Sequence, residues 1–164
     1  MIPPWILGTT GAAVALSVVI LAACRSSAGP GESLPRDIMG FEDLGQGVTS
    51  GVMAGGLHVL RDVESFETLW REHMKLNLPV PAPPEIDFEV SMVVAAFAGQ
   101  KPTGGYSLQI EEVARIPATE TSPSQIVVRT SETVPDEGAA VTQMLTSPFH
   151  MVRVARTDGE GVLE

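Results

Sequence analysis

Residues 86–98 read Ile-Asp-Phe-Glu-Val-Ser-Met-Val-Val-Ala-Ala-Phe-Ala. The first half alternates: Phe88, Val90 and Met92 point one way, Glu89 and Ser91 the other. From Met92 onward both faces are apolar. A strand of this kind needs cover on both sides, which places it at the centre of a sheet. The fold is built outward from here.

Upstream, Gly56-Leu57-His58-Val59-Leu60-Arg61 reads as a short strand. Residues 63–76 follow as a helix. Asp62 is a good N-cap, and Glu64 and Glu67 sit near the positive end of the dipole. Phe66, Leu69, Trp70 and Met74 recur at helical spacing and form one apolar stripe. Pro79-Val80-Pro81-Ala82-Pro83-Pro84 is a stiff connector back to the long strand. Downstream, residues 106–114 alternate, with Tyr106, Leu108 and Ile110 facing in. Residues 125–129 and 148–154 are two further strands, and Pro135-Asp136-Glu137-Gly138 is a turn. Strand, helix, then strands on short connections predict an α+β fold. The expected architecture is a single small domain, a mostly antiparallel sheet of about five strands with one amphipathic helix packed on it.

The chain has 164 residues, 20 acidic and 10 basic side chains, and one cysteine. One thiol excludes an intramolecular disulfide and a Cys-based zinc site. An acidic chain with scattered Lys and Arg is a poor ligand for phosphates, so no nucleic-acid partner is expected. The first charged residue is Arg25, and the cysteine, Cys24, precedes it directly. Residues 5–24 are apolar and end in Leu21-Ala22-Ala23-Cys24, the pattern of a bacterial lipobox. Small residues fit a signal-peptidase cleft, and the thiol accepts a diacylglyceryl group. Met1-Ile2-Pro3-Pro4 lacks the positive charge that usually opens a secretory signal. Uncleaved, the same run is long enough to span a bilayer.

The expected organisation is a lipoprotein signal peptide over 1–23, a lipidated Cys24 with a flexible linker over 24–40, a domain over 41–156, and a flexible tail over 157–164. The linker is rich in Gly, Pro and Ser and spans roughly 20–25 Å as a coil. A diacylglyceryl cysteine carries two chains, enough for stable membrane binding. The expected location is extracytoplasmic and membrane-anchored. Arg25 rather than Asp after the cysteine favours the outer membrane in a cell that has one.

Catalytic chemistry is not visible in the sequence. His58, His73 and His150 lie on different elements at no metal spacing and read as solvated or hydrogen-bonded residues. No nucleophile elbow, phosphate-binding glycine loop or His-Glu-x-x-His helix occurs. Glu111 and Glu112 are adjacent in a strand, which should point them to opposite faces. No catalytic, cofactor-binding or metal-binding residue is expected, and the chain is read as a non-enzyme.

The junction after the long strand reads Gly99-Gln100-Lys101-Pro102-Thr103-Gly104-Gly105-Tyr106. Gly104 and Gly105 permit the positive φ of a tight reversal, Pro102 stiffens the approach, and Thr103 can bond its local backbone. A demanding hairpin is one reading of this turn. An exposed recognition loop is the other. Together with Asp87-Phe88, Phe66, Leu69-Trp70 and Thr146-Ser147-Pro148-Phe149, the turn resembles the PrcB C-terminal domain family over roughly residues 47–155. Phe149 stands where Tyr is common in that family. The resemblance implies a non-catalytic accessory domain that binds a protein partner, such as a surface protease. On the recognition-loop reading, Lys101, Pro102, Thr103, Gly104, Gly105 and Tyr106 are the candidate contact loop. The turn is also similar to the Asn-Pro-Thr-Thr-Gly-Phe/Tyr loop of chagasin-type cysteine-protease inhibitors, but that family's Arg-Pro-Trp/Phe element is missing. A purely structural envelope lipoprotein is the remaining alternative.

Overall fold

The computed structural model describes residues 35–164. The signal segment, Cys24 and most of the linker lie outside the described residues. Eight strands and one helix follow in the order β1 (Asp37–Met39), β2 (Phe41–Gly47), β3 (Gly55–Leu60), α1 (Val63–Met74), β4 (Ser91–Ala98), β5 (Ser107–Ile116), β6 (Gln125–Thr133), β7 (Phe149–Ala155) and β8 (Glu160–Leu163). The α+β class and the single helix agree with the sequence reading. The strands form two four-stranded sheets, ordered β2-β7-β4-β3 and β1-β5-β6-β8, in place of one sheet of five. All pairings are antiparallel except β6 with β8.

β4 lies inside the first sheet, and Met92 to Phe97 are all buried. Its two faces serve two cores. Val93, Ala95 and Phe97 pack with Phe66, Trp70, Phe88, Phe149 and Met151 on the α1 side. Met92, Val94 and Ala96 pack with Leu108, Ile110, Val113, Ile126, Val128 and Val152 of the facing sheet. The described domain is thus three layers: helix, sheet, sheet. The helix begins where expected, because Asp62 Oδ1 accepts the Ser65 backbone N–H at 2.8 Å. The proline connector is tied to it by the Trp70 indole, which donates to Pro81 O at 2.9 Å.

Several expectations need correction. The long strand starts at Ser91, not at 86, because Asp87 builds a turn whose carbonyl accepts from Ser91 N at 2.9 Å. That turn leaves Val90 64% exposed. The segment 24–40 carries β1, and the segment 157–164 carries β8. Neither strand has a pattern of its own. β1 forms by pairing three residues with β5, and β8 by pairing four with β6. Arg36 and Glu164 join the two ends through a two-pronged ion pair at 2.6 and 2.7 Å. Finally, a register shift between Ile110 and Glu112 breaks the alternation of β5. Glu111 and Glu112 therefore both reach Arg129, at 3.5 and 3.1 Å.

Candidate functional site

The 101–106 turn does not close a hairpin. β4 pairs with β3 and β7, whereas β5 pairs with β1 and β6, so the turn carries the chain from one sheet to the other. Two glycines announce a reversal but do not say which sheet receives the next strand.

The turn is held by the segment that precedes β7. Lys101 and Thr146 form an antiparallel bridge, with Lys101 N donating to Thr146 O at 2.7 Å and Thr146 N to Lys101 O at 3.1 Å. The Thr146 hydroxyl donates to Thr103 O at 2.8 Å. Gly104 N donates to Thr142 O at 2.9 Å, and Thr103 Oγ1 to Gly104 O at 3.1 Å. Ser147 anchors the same segment from below, its hydroxyl donating to Val52 O at 2.6 Å. The two motifs that were separate in sequence, 101–106 and 146–149, are therefore one structural unit.

The two glycines differ in what they do: Gly105 is demanded by its backbone, whereas Gly104 makes room for a neighbouring hydroxyl that would otherwise have to turn away. Gly105 sits at φ +87°, a conformation that side-chain-bearing residues rarely adopt. Gly104 is buried, and a Cβ there would lie 2.3 Å from Thr142 Oγ1. Lys101 is engaged internally: its ammonium meets Glu132 Oε1 at 2.5 Å and lies 5.5 Å from the centre of the half-buried Tyr106 ring. Pro102 and Gly105 are the exposed members of the turn. Beside the bridge lies a small cavity of about 190 Å³ with Ser50, Thr146 and Ser147 among its lining residues and Met53, Leu76 and Leu145 around it. Met53, Leu76 and Leu145 are 42%, 55% and 62% exposed, which gives this end of the molecule an apolar rim suited to protein contact.

The three histidines take different positions. His73 and His150 are buried, and His58 is half-buried edge-on to Phe97. His73 Nδ1 lies 2.9 Å from Ser50 Oγ, and burial pushes its pKa down to about 4. His150 Nδ1 accepts the Ile110 backbone N–H at 2.8 Å, so the ring proton of its neutral form sits on Nε2. Among the described residues no cluster of three or more His, Cys, Asp or Glu side chains is arranged to hold a metal ion. No described helix is long and apolar enough to cross a membrane.

Residues the sequence did not single out complete the picture. Thr142 and Glu132 hold the turn, and Gln46 joins His150 in stitching the two sheets, donating to Leu108 O at 2.8 Å. The rows of polar and small residues around them carry no periodic signal. Gln46 and His150 are cross-strand partners, and together they satisfy backbone groups of β5 beyond the reach of β1.

Comparison with curated proteins and with solved structures gives no match. Asp87, Phe88 and α1, which entered the resemblance read from the sequence, fall outside the segment matched by a family model. A family model described as PrcB C-terminal matches residues 92–155, the stretch that spans the glycine turn and its Thr146 partner, and it supports the family to which those motifs point.

Proposed function

We propose that the chain is an extracytoplasmic lipoprotein, anchored through Cys24, whose folded part is a non-catalytic accessory domain that binds a protein partner. A surface protease is the partner class that the resemblance implies. The observation that carries this reading is the PrcB C-terminal match over 92–155, within which the glycine turn meets the 146–149 motif at the Lys101–Thr146 bridge. The bridge makes a rigid ledge from Lys101, Pro102, Thr103, Gly104, Gly105 and Tyr106, flanked by exposed Met53 and Leu145. Rigid loops on sheet scaffolds are well suited to recognition because little ordering entropy is lost on binding.

Two measurements test the reading. The detergent-solubilised full chain, captured from its native membrane, should retain a specific protein partner, and replacing Pro102 by Lys should release it. Capture of nothing beyond background rejects the binding role. Separately, Cys24→Ser should abolish fatty-acid labelling of the chain, and labelling that persists rejects the anchor.

A further inference from the structure

The first sheet has two edges of different character. β2 is guarded: it carries Glu42 and Asp43, and its register with β7 shifts between Asp43 and Gly45. β3 is not guarded. Its sequence, Gly-Gly-Leu-His-Val-Leu, has no charge and no proline, and all six residues pair with β4 without a shift. Among the described residues β4 is its only strand partner, so alternate N–H and C=O groups of β3 face outward. Proteins normally blunt such an edge with charge, proline or a bulge, because it is a template for another strand.

The open edge borders a groove. His58 and Leu60 of β3 form one side, and Ser65, Thr68 and Leu69 of α1 form the other, of an open groove of about 580 Å³. Leu57 and Val59 point away from it, toward the second sheet. The groove is apolar inside and acidic at its lips, where Asp62, Glu64 and Glu72 lie. Asp62 is committed to the helix cap and lies in the field of Arg156, and Glu72 meets Lys75, while among the described residues Glu64 has no ion-pair partner. Among the described residues no Lys or Arg lines the groove. Arg61, the nearest cation in sequence, is turned to the backbone carbonyls of Thr157 and Gly159. Burial holds the His58 imidazole below its ordinary pKa, so it adds no positive charge near neutral pH.

From the bare edge, the groove beside it and the sign of its rim, we propose that β3 and α1 bind an extended segment of a partner protein with Lys or Arg at alternate positions, added as a strand on β3. Main-chain hydrogen bonds to β3 supply register, and the alternating side chains supply selectivity. On the groove side, the aliphatic stem of a Lys or Arg lies along Leu60 and Leu69 while its charge reaches the carboxylates. β-Branched residues fit the intervening positions. This surface is separate from the 101–106 turn and does not depend on that turn binding anything.

The test is fluorescence polarisation of the full chain in detergent with a labelled heptapeptide, Thr-Lys-Val-Arg-Val-Lys-Thr. Saturable binding is expected, weakened about tenfold or more when the peptide's Lys and Arg are replaced by Glu. Methylating alternate peptide nitrogens should abolish binding in one of the two phases and spare it in the other, which requires no change to the protein. Thr68→Arg and the double change Glu64→Lys with Glu72→Lys, all at exposed positions, should each weaken binding about tenfold, whereas Glu120→Lys should not. No binding, equal binding of the acidic peptide, or indifference to both methylation phases overturns the proposal. A concentration-dependent dimer that excludes the peptide assigns the edge to a second copy of the chain and overturns it too.

Discussion

On its helix side, β4 meets rings: Phe97 lies against Phe149, His73 and His58, and Phe66 bridges Trp70 to Phe88. On its other side β4 meets Leu, Ile and Val from the second sheet. The helix offers only a narrow stripe, and rings of large area let that stripe cover a broad sheet. Two pleated sheets approach each other evenly, and branched aliphatic side chains fill the space between them. Each side also contains one buried histidine, held through Nδ1: His73 by Ser50 on the ring side, His150 by Ile110 N on the aliphatic side. The same strand thus serves two cores that differ in how they are filled and in how they meet their polar needs.

The largest expected effect falls on the ring side. Phe97→Ala removes a ring that several others touch, and a loss of about 3–5 kcal/mol is expected in urea unfolding. A loss under about 1 kcal/mol would mean that the helix layer repacks freely and that the two cores are less distinct than their contacts indicate. Next comes the aliphatic side. His150→Phe keeps the bulk of the ring but leaves the buried Ile110 N–H unsatisfied, which should cost about 1–3 kcal/mol. A neutral outcome would show that the sheets are held by side-chain packing alone.

A third effect, read in pH, is specific to the ring side. His73 has its pKa lowered from 6.5 to about 4 by burial. Above 6.5 it is neutral in both the folded and unfolded chain and contributes no slope. Below 6.5 the unfolded chain takes up the proton first, so stability falls as pH drops toward 4. Thermal unfolding should show this decline, and His73→Gln should flatten it. An unchanged slope in that variant would place the acid sensitivity elsewhere.

The parts of the fold that were legible in the sequence are those whose stability is local or doubly apolar. Met92 to Phe97 state their burial outright, and Asp62 with Phe66 and Trp70 states a helix and its inward face. The illegible parts depend on partners far along the chain. β2, Phe-Glu-Asp-Leu-Gly-Gln-Gly, has no strand pattern and exists because β7 pairs with it. β8 exists because β6 does. At the candidate site the sequence marks Gly104 and Gly105 as a special turn. It cannot show that Thr146 holds that turn, because a single hydroxyl has no periodicity. The bulge that brings Glu111 and Glu112 to one arginine is hidden for the same reason: the rule of alternation holds only while the register does.

The Arg36–Glu164 pair has a consequence for how this module can be wired to others. Residues 128 positions apart in the chain meet side by side, so the described domain begins and finishes at one corner. A unit with its two ends together can be set into a loop of a host protein without prying the host apart. It can equally be re-threaded: a short Gly-Ser joint across the corner and a new opening in the exposed loop at residues 118–123 would leave every strand whole.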